Sequence, residues 1–170
     1  NRELAGAEVE LVGLDHRDVR LKKALEPELD KYDYVLIDCP PSLSMLTLNA
    51  LCAADGVIIP MQCEYYALEG LTDLVGSVKR VRAEKNKNLR IVALLRVMFD
   101  TRITLQQQVS TQLEEHFGDK VFKTIIPRNV RLAERRATAC PASSTTLEQG
   151  CQGYMACAEE LIERMEKKHK

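Results

Sequence analysis

Asp38 is the residue whose position best fits a chemical role. It directly follows the apolar run Tyr34–Ile37 and precedes Cys39, Pro40 and Pro41. A continuous apolar run of this length predicts a strand that is buried on both faces of a parallel sheet. Ligands of such sheets collect at the carboxyl ends of the strands. An acid at this place could hold Mg²⁺ beside nucleotide phosphates, or it could simply cap the next turn.

The segments around Asp38 alternate between short apolar runs and stretches of helical periodicity. Further strands are predicted at 57–60, 91–97 and 121–126, and helices at 17–30, 43–54, 66–85, 104–117 and 149–168. This alternation predicts an α/β fold in which helices flank a parallel sheet. Because the sequence contains neither a repeat nor a linker, we expect one domain over residues 1–170.

The composition excludes several classes of protein. The 170 residues carry 24 Lys and Arg against 25 Asp and Glu, a formal net charge of −1, which excludes a broadly basic nucleic-acid coat but allows a local basic patch. No run approaches the roughly 18 apolar residues of a membrane span. The six cysteines contain no C-x-x-C pair. Cys39, Cys52 and Cys63 lie in or beside apolar runs, so we expect buried, reduced thiols.

The residues after Asp38 carry a more specific signal. The sequence resembles the ParA/Soj family of chromosome and plasmid partition ATPases in the stretch YDYVLIDCPPSLSMLTLNALCAADGVIIPMQCEYYALEGL. Two later stretches, LLRVMFDTRITLQQQV and VFKTIIPRNVRLAE, are similar to the same family. The resemblance covers residues 1–134 almost continuously and resumes near Gly150. It implies a P-loop NTPase fold of the deviant-Walker (SIMIBI/ParA-like) group, which also contains MinD.

The resemblance implies roles in nucleotide binding. Asp38 would be the catalytic Walker B acid and would hold Mg²⁺ directly or through water. A switch that responds to the γ-phosphate would include Pro40, Pro41 and Ser42. The loop that packs on adenine would consist of Ile126, Pro127, Arg128 and Asn129.

The resemblance also implies partners. Gln62, Glu64 and Tyr65 would lie near the interface of a homodimer that sandwiches the nucleotide. Arg102 and Arg131 would bind non-specific DNA, since contacts from arginine to phosphate need no base code. A ParB-type protein would stimulate hydrolysis. The protein would be cytoplasmic, associated with the bacterial nucleoid and independent of the membrane.

One part of the family pattern is absent from this sequence. ParA relatives carry K-G-G-V-G-K-T near the N-terminus, and no such pattern occurs here. We therefore expect the C-terminal part of a ParA-like protein, incomplete at its N-terminus and without the central strand that the family places between strands 34–37 and 57–60. The expected result is a rearranged sheet or a marginal fold. ATP and Mg²⁺ belong to the intact family, and we expect this chain alone to bind neither tightly and to hydrolyse no ATP.

Two other interpretations stay open. A MinD-like ATPase that cycles on membranes would need an amphipathic helix after the core. The tail LIERMEKKHK has apolar residues on one side, but the last core helix of the family already accounts for them. A non-enzymatic remnant or interaction module would bind no nucleotide at all.

Residues 135–146 depart from the family pattern. Glu134 is followed by RRATACPASSTT, where the family shows E-A-P-S-H-G-L-P, a short strand and Y-D. One coding string for this segment, with a single G restored, reads EAPSHGLPGIVYD. A frameshift with later restoration of the frame explains the segment, and ordinary divergence is the alternative. An out-of-frame segment should form a coil, whereas Tyr154, Ala158 and Leu161 after it should face the core.

We predict that the gene itself carries the frameshift. Sequencing codons 134–150 should show that one added base restores P-S-H-G-L-P, because the in-frame family pattern resumes near Gly150. Codons that yield no such reading in another frame would establish ordinary divergence.

Overall fold

The computed structural model describes residues 2–40, 42–128 and 145–166. In chain order the elements are α1 (Arg2–Val12), α2 (Arg20–Leu25), a 3₁₀ helix (Glu26–Lys31), α3 (Met45–Ala53), β1 (Gly56–Met61), α4 (Ala67–Glu84), β2 (Arg90–Phe99), α5 (Thr104–Phe117), a 3₁₀ turn (Gly118–Lys120), β3 (Val121–Pro127) and α6 (Thr145–Glu166). Among the described residues, none of the helices combines the length and the hydrophobicity of a membrane span.

The described chain divides into two compact units. The helical unit comprises the residues up to Val57 together with Leu74–Arg90, and the sheet unit comprises Ile58–Asp73 together with the residues from Ile91 onward. Strand β1 and helix α4 each contribute residues to both units.

Two buried asparagines organise the helical unit. Asn49 on α3 accepts a hydrogen bond at Oδ1 from the Leu21 amide over 3.1 Å and donates from Nδ2 to the Arg17 carbonyl over 2.7 Å. Asn86, just after α4, donates from Nδ2 to the carbonyls of Leu51 and Ala54 at the end of α3. Each side-chain amide therefore hydrogen-bonds to backbone groups at or next to a helix terminus, where the helix itself leaves such groups without partners.

The sheet has the strand order β1-β2-β3, and β2 runs parallel to β3. The middle of β2 is buried without interruption, as expected for a strand covered on both faces. One core cluster contains Ala93, Leu95, Phe122 and Ile126, and Leu161 of α6 packs against it. The helices thus cover the sheet by burying apolar side chains, each worth about 1.5–3 kcal/mol.

The first half of β3 contains an irregularity. Leu94 pairs with Val121 and Arg96 pairs with Ile125, so β3 advances by four residues while β2 advances by two. A bulge of this kind leaves backbone groups without partners on the neighbouring strand. Charged side chains supply those partners in this protein.

Arg96 binds the carbonyls of the bulge. Its guanidinium is buried, with 4% of the residue exposed. One terminal nitrogen donates to the Phe122 carbonyl over 2.7 Å, and the other donates to the Ser110 hydroxyl over 2.7 Å and pairs with Glu114 on α5. A buried charge is tolerated only when it is paired and hydrogen-bonded in this way. Arg96 therefore ties β2, β3 and α5 together.

Glu160 of α6 binds the amides of the same bulge. Its carboxylate accepts hydrogen bonds of 2.9 Å from the backbone amides of Lys123 and Thr124, and a third of 2.7 Å from the Thr124 hydroxyl. Arg164 pairs with Glu160 over 2.8 Å, donates to the Val121 carbonyl and lies over the Phe122 ring. Burial alone would raise the pKa of Glu160, but these hydrogen bonds lower it to about 2.

The α/β fold with a parallel sheet and flanking helices is confirmed. The strands predicted at 57–60, 91–97 and 121–126 appear as β1, β2 and β3, and the helix predicted at 104–117 has the same bounds as α5. The helices predicted at 43–54, 66–85 and 149–168 appear as α3, α4 and α6.

The strand predicted at Tyr34–Ile37 is wrong for this structure. These residues pair with no described strand, and Tyr34, Val35 and Leu36 are exposed. An apolar run becomes a strand only where a neighbour accepts its backbone hydrogen bonds. Within the described residues, the sheet offers this run no such neighbour. Cys39 is exposed for the same reason, whereas Cys52 and Cys63 are buried free thiols as expected.

Two helix predictions need correction. The segment 17–30 is not one helix, because α2 ends at Leu25 and a 3₁₀ helix with Pro27 in its first turn follows. On α6, Leu161 packs against the core as expected, but Tyr154 and Ala158 are exposed. The buried face of α6 instead passes through Gly153, where a Cβ would come within 3.5 Å of Ile126. Residues 135–144 lie outside the described ranges, and α6 begins at Thr145.

We predict that Glu160→Gln destabilises the protein. At pH 7 the loss should be about 1 to 2 kcal/mol after allowance for solvent screening, because the ionised carboxylate holds the bulge amides. The pKa of Glu160 is lower in the folded state than in the unfolded state. Its contribution is therefore complete above about pH 4.5 and disappears as the pH falls towards 2. Urea unfolding across this range measures the effect.

The matched control is Glu159→Gln, which removes the same charge from an exposed position on the same helix. It should change the free energy of unfolding by less than about 0.5 kcal/mol. Equal stability of the two variants at pH 7 would show that Glu160 does not support the bulge.

Candidate functional site

Asp38 lies in the helical unit at the end of the unpaired apolar run. Asp38 is exposed, and so is Leu36, two residues before it. The run borders an apolar groove lined by Leu25, Glu28, Leu29, Tyr32, Tyr34, Val35 and Leu36. The structure therefore presents the acid to solvent beside an apolar surface that the described residues leave uncovered.

The predicted switch is anchored to the beginning of α3. The Ser42 carbonyl accepts a 2.7 Å hydrogen bond from the Thr47 hydroxyl. Ser44 caps the helix, because its Oγ accepts hydrogen bonds from the amides of Leu46 and Thr47. Pro40 is exposed, and Pro41 lies outside the described residues. Any displacement of residues 42–44 must break these bonds or move α3 with it.

The residues present fit a magnesium ion better than they fit a triphosphate. Mg²⁺ in nucleotide sites needs only one or two protein carboxylates besides phosphate and water, and the exposed Asp38 can supply one. The described residues contain no group of three or more acidic, cysteine or histidine side chains that could hold a metal by themselves. A triphosphate needs a glycine-rich cradle and its lysine. Nowhere in the sequence does a lysine directly follow a glycine.

The predicted dimer residues lie in the sheet unit, on the turn between β1 and α4. Gln62, Glu64 and Tyr65 are all exposed. The ring of Tyr65 meets the ring of Tyr66 edge to face at 5.0 Å, and 74% of each residue is accessible. The neighbouring Cys63 is buried, and burial raises the pKa of its thiol although Arg96 acts in the opposite direction. This turn therefore exposes two aromatic rings, while the neighbouring Cys63 is buried in the protein.

The predicted adenine loop begins at the end of β3. Ile126 is buried in the core cluster, so its side chain is turned away from solvent. Pro127 and Arg128 are exposed, and the Arg128 amide donates to the Phe99 carbonyl over 3.0 Å. Asn129 lies outside the described residues. The exposed groups that the structure offers here are therefore Pro127 and Arg128.

Arg102 lies on the loop between β2 and α5 and is held by an acid. Its Nε donates to Asp100 Oδ1 over 2.9 Å and a terminal nitrogen donates to Oδ2 over 2.7 Å. The backbone amide of Arg102 donates to Oδ1 as well. These hydrogen bonds lower the pKa of Asp100 to about 2. The side chain of Arg102 is 86% exposed. Arg131, the other predicted DNA contact, lies outside the described residues.

Sequence reasoning missed the support beneath Arg102. Gln106 on α5 is buried and accepts a 2.7 Å hydrogen bond from the Asp100 amide. Before the loop, Met98 has a φ of 54°, at a second register irregularity between β2 and β3. The spacing of Asp100 and Arg102 was a visible signal, because a carboxylate often binds the amide two residues later in a turn.

Comparison with known proteins identifies the family. A family model described as an AAA domain matches residues 1–91. The chromosome-partitioning ATPase Soj of Treponema pallidum is 50% identical over 163 residues, which cover 95% of this chain and 64% of that protein. The chain belongs to the ParA/Soj family. It spans less than two thirds of the length of the first curated relatives that it matches.

Solved structures agree with membership of the ParA/Soj family. A cobyrinic acid a,c-diamide synthase from Mycobacterium smegmatis with bound ADP and magnesium has a TM-score of 0.79 and 32% identity over 98% of this chain and 61% of that one. A plasmid partition protein from Borrelia burgdorferi has a TM-score of 0.63 and 26% identity over 91% of this chain and 55% of that one. The described residues therefore form part of a P-loop ATPase fold, as the sequence predicted.

Proposed function

We propose that this chain is the switch-bearing and DNA-binding part of a ParA/Soj-type partition ATPase. The observation that carries the proposal is the exposed Asp38, followed by a Pro-Pro segment whose next residues are hydrogen-bonded to the beginning of α3. In this arrangement, a change at the acid would reach the whole of α3 through Ser42 and Ser44. A nucleotide-dependent conformational change needs such a rigid element.

The proposed ligand of the complete protein is ATP with Mg²⁺. Asp38 would contact the ion, and Pro40, Pro41 and Ser42 would respond to the terminal phosphate. The exposed Pro127 and Arg128, with Asn129, would border the base. The phosphate cradle would come from residues that this sequence does not contain, covering the apolar groove beside Tyr34 and Leu36. Hydrolysis is therefore proposed for the complete protein only, and the chain alone is proposed to be inactive.

The proposed partners are DNA, a ParB-type protein and a second copy of the complete protein. Arg102 and Arg131 would contact phosphates of any DNA sequence, which would place the protein on the nucleoid. The exposure of Arg102 supports this role. The second copy would meet the turn of Gln62, Glu64 and Tyr65, whose exposed rings supply apolar contact area.

We predict that ATP turnover requires both Asp38 and a phosphate cradle. The 170-residue chain should show no Mg²⁺-dependent hydrolysis above background, because it lacks the amides and the lysine that stabilise the transferred phosphate. The extended protein, defined as this chain preceded by the N-terminal region of Treponema pallidum Soj, should hydrolyse ATP. Asp38→Asn should abolish that turnover in a phosphate-release assay.

The control for this experiment is Asp33→Asn, which removes an exposed acid from the same segment. It should leave turnover within about twofold, since Asp33 precedes the apolar run and has no proposed contact with the ion. Turnover by the chain alone that disappears with Asp38→Asn would contradict the proposed division of labour. Full activity of the extended Asp38→Asn protein would remove Asp38 from the site.

We predict that Arg102 and Arg131 each support DNA binding to a similar extent for unrelated DNA sequences. In the extended protein with a non-hydrolysable ATP analogue, Arg102→Ala and Arg131→Ala should each weaken binding of short labelled duplexes. Each loss of a phosphate contact should flatten the slope of log affinity against log salt by about 0.9. Fluorescence anisotropy at several salt concentrations measures the slope.

Arg82→Ala is the matched control, because it removes an exposed arginine from α4. Its slope should equal that of the wild-type protein. An unchanged slope in the double variant of Arg102 and Arg131 would exclude these two residues from the DNA-binding surface.

A further inference from the structure

The loop between β2 and α5 is held in place by several hydrogen bonds, although its residues Thr101 and Arg102 are exposed. The Asp100 amide donates to Gln106 Oε1, and the Ile103 amide donates to the Asp100 carbonyl over 3.1 Å. Gln107 Nε2 donates to the Thr101 carbonyl over 2.5 Å. The first turn of α5 thus fixes the backbone on both sides of Asp100. The side chain of Asp100 is 17% exposed and has little freedom of its own.

The side-chain hydrogen bonds from Arg102 to Asp100 involve only one edge of its guanidinium. Asp100 takes Nε and one terminal nitrogen. A guanidinium has five N–H donors in a planar fork, so the opposite edge keeps donors that no described residue uses. Because the guanidinium charge is delocalised, that edge still presents part of the positive charge to solvent, with the side chain 86% exposed. An arginine this exposed would otherwise sample many rotamers, and ordering it on binding would cost affinity.

We propose that Asp100 is a positioning residue for DNA, holding the Arg102 guanidinium with its free edge towards a phosphate. This inference rests on the proposed DNA-binding function. The carboxylate keeps its own bonds while the opposite edge of the fork receives the phosphate, so binding does not require the ion pair to break. Gln106 acts one step further back by fixing Asp100. The exposed Arg128, whose amide donates to the Phe99 carbonyl, adds a second cation at the end of β2, and its charge also helps to lower the pKa of Asp100.

Replacement of Asp100 by asparagine has two opposite expected effects on DNA affinity. Asp100 is negative and would lie near a negative phosphate, so charge alone predicts that Asp100→Asn tightens DNA binding. Positioning predicts the reverse, because the asparagine cannot hold both edge nitrogens of Arg102 as a carboxylate does. Between exposed groups the direct repulsion is reduced by water and salt. The sign of the change therefore separates the two physical effects.

The experiment measures affinity for short labelled duplexes in the extended protein with a non-hydrolysable ATP analogue. Asp100→Asn should weaken binding about threefold while leaving the salt slope unchanged, because the number of phosphate contacts stays the same. In the Arg102→Ala background, Asp100→Asn should cause no further loss. Asp119→Asn, which removes an exposed acid of the same unit, should leave affinity unchanged or slightly higher.

Arg102→Lys provides a second variant that leaves Asp100 intact. Lysine keeps the charge but lacks the fork, so it should bind DNA as weakly as Asp100→Asn, with an unchanged salt slope and no further loss when the two changes are combined. Tighter binding by Asp100→Asn, or an equal loss with and without Arg102, would overturn the inference. Wild-type binding that is absent or insensitive to Arg102→Ala would instead overturn the proposed DNA-binding function.

Discussion

Charged side chains, rather than a neighbouring strand, satisfy the backbone at the beginning of β3, and the sheet unit depends on this constraint. Arg96 donates a hydrogen bond to the Phe122 carbonyl, and Glu160 accepts hydrogen bonds from the amides of Lys123 and Thr124. Each unpaired group in such a buried stretch would cost about 1–3 kcal/mol. Because Arg96 comes from β2 and also reaches α5, and Glu160 comes from α6, the bulge can form only when those elements are in place. Their positions are therefore fixed by hydrogen-bond geometry as well as by burial of apolar area.

The exposed chemistry of the sheet unit depends on the same framework. Arg102 lies on a loop that starts where β2 ends and finishes where α5 begins. Arg96 clamps those two elements through Ser110 and Glu114, while Gln106 clamps the loop itself. The backbone that carries the highly exposed Arg102 side chain is thus held in place. The helical unit shows the same principle on a smaller scale, where Ser44 and the Ser42 carbonyl connect the segment after Asp38 to α3.

The pattern of apolar residues was sufficient to predict the strands of the sheet and most helices, because each of these elements buries its apolar side chains against neighbouring elements. It failed at Tyr34–Ile37, where the sequence has the composition of a buried strand but the described residues supply no partner. The contacts of Arg102 were equally invisible to periodicity, since Gln106 and Asp100 meet through loop geometry. The buried face of α6 was misplaced because the small Gly153, not Tyr154, allows close approach to β3. Local pattern predicts an element, but pairing and orientation depend on residues distant in sequence.

The ionic support of β3 has a consequence for how this sequence can diverge. Arg96, Glu160 and Arg164 act on one bulge of four residues, so loss of any one leaves charges or backbone groups unsatisfied for the others. A single replacement at one of these positions gives a destabilised protein, whereas joint replacement together with removal of the bulge avoids that loss. Homologues should therefore retain the three residues as a set or lack all of them. Aliphatic positions such as Leu95 are free to drift among residues of similar volume.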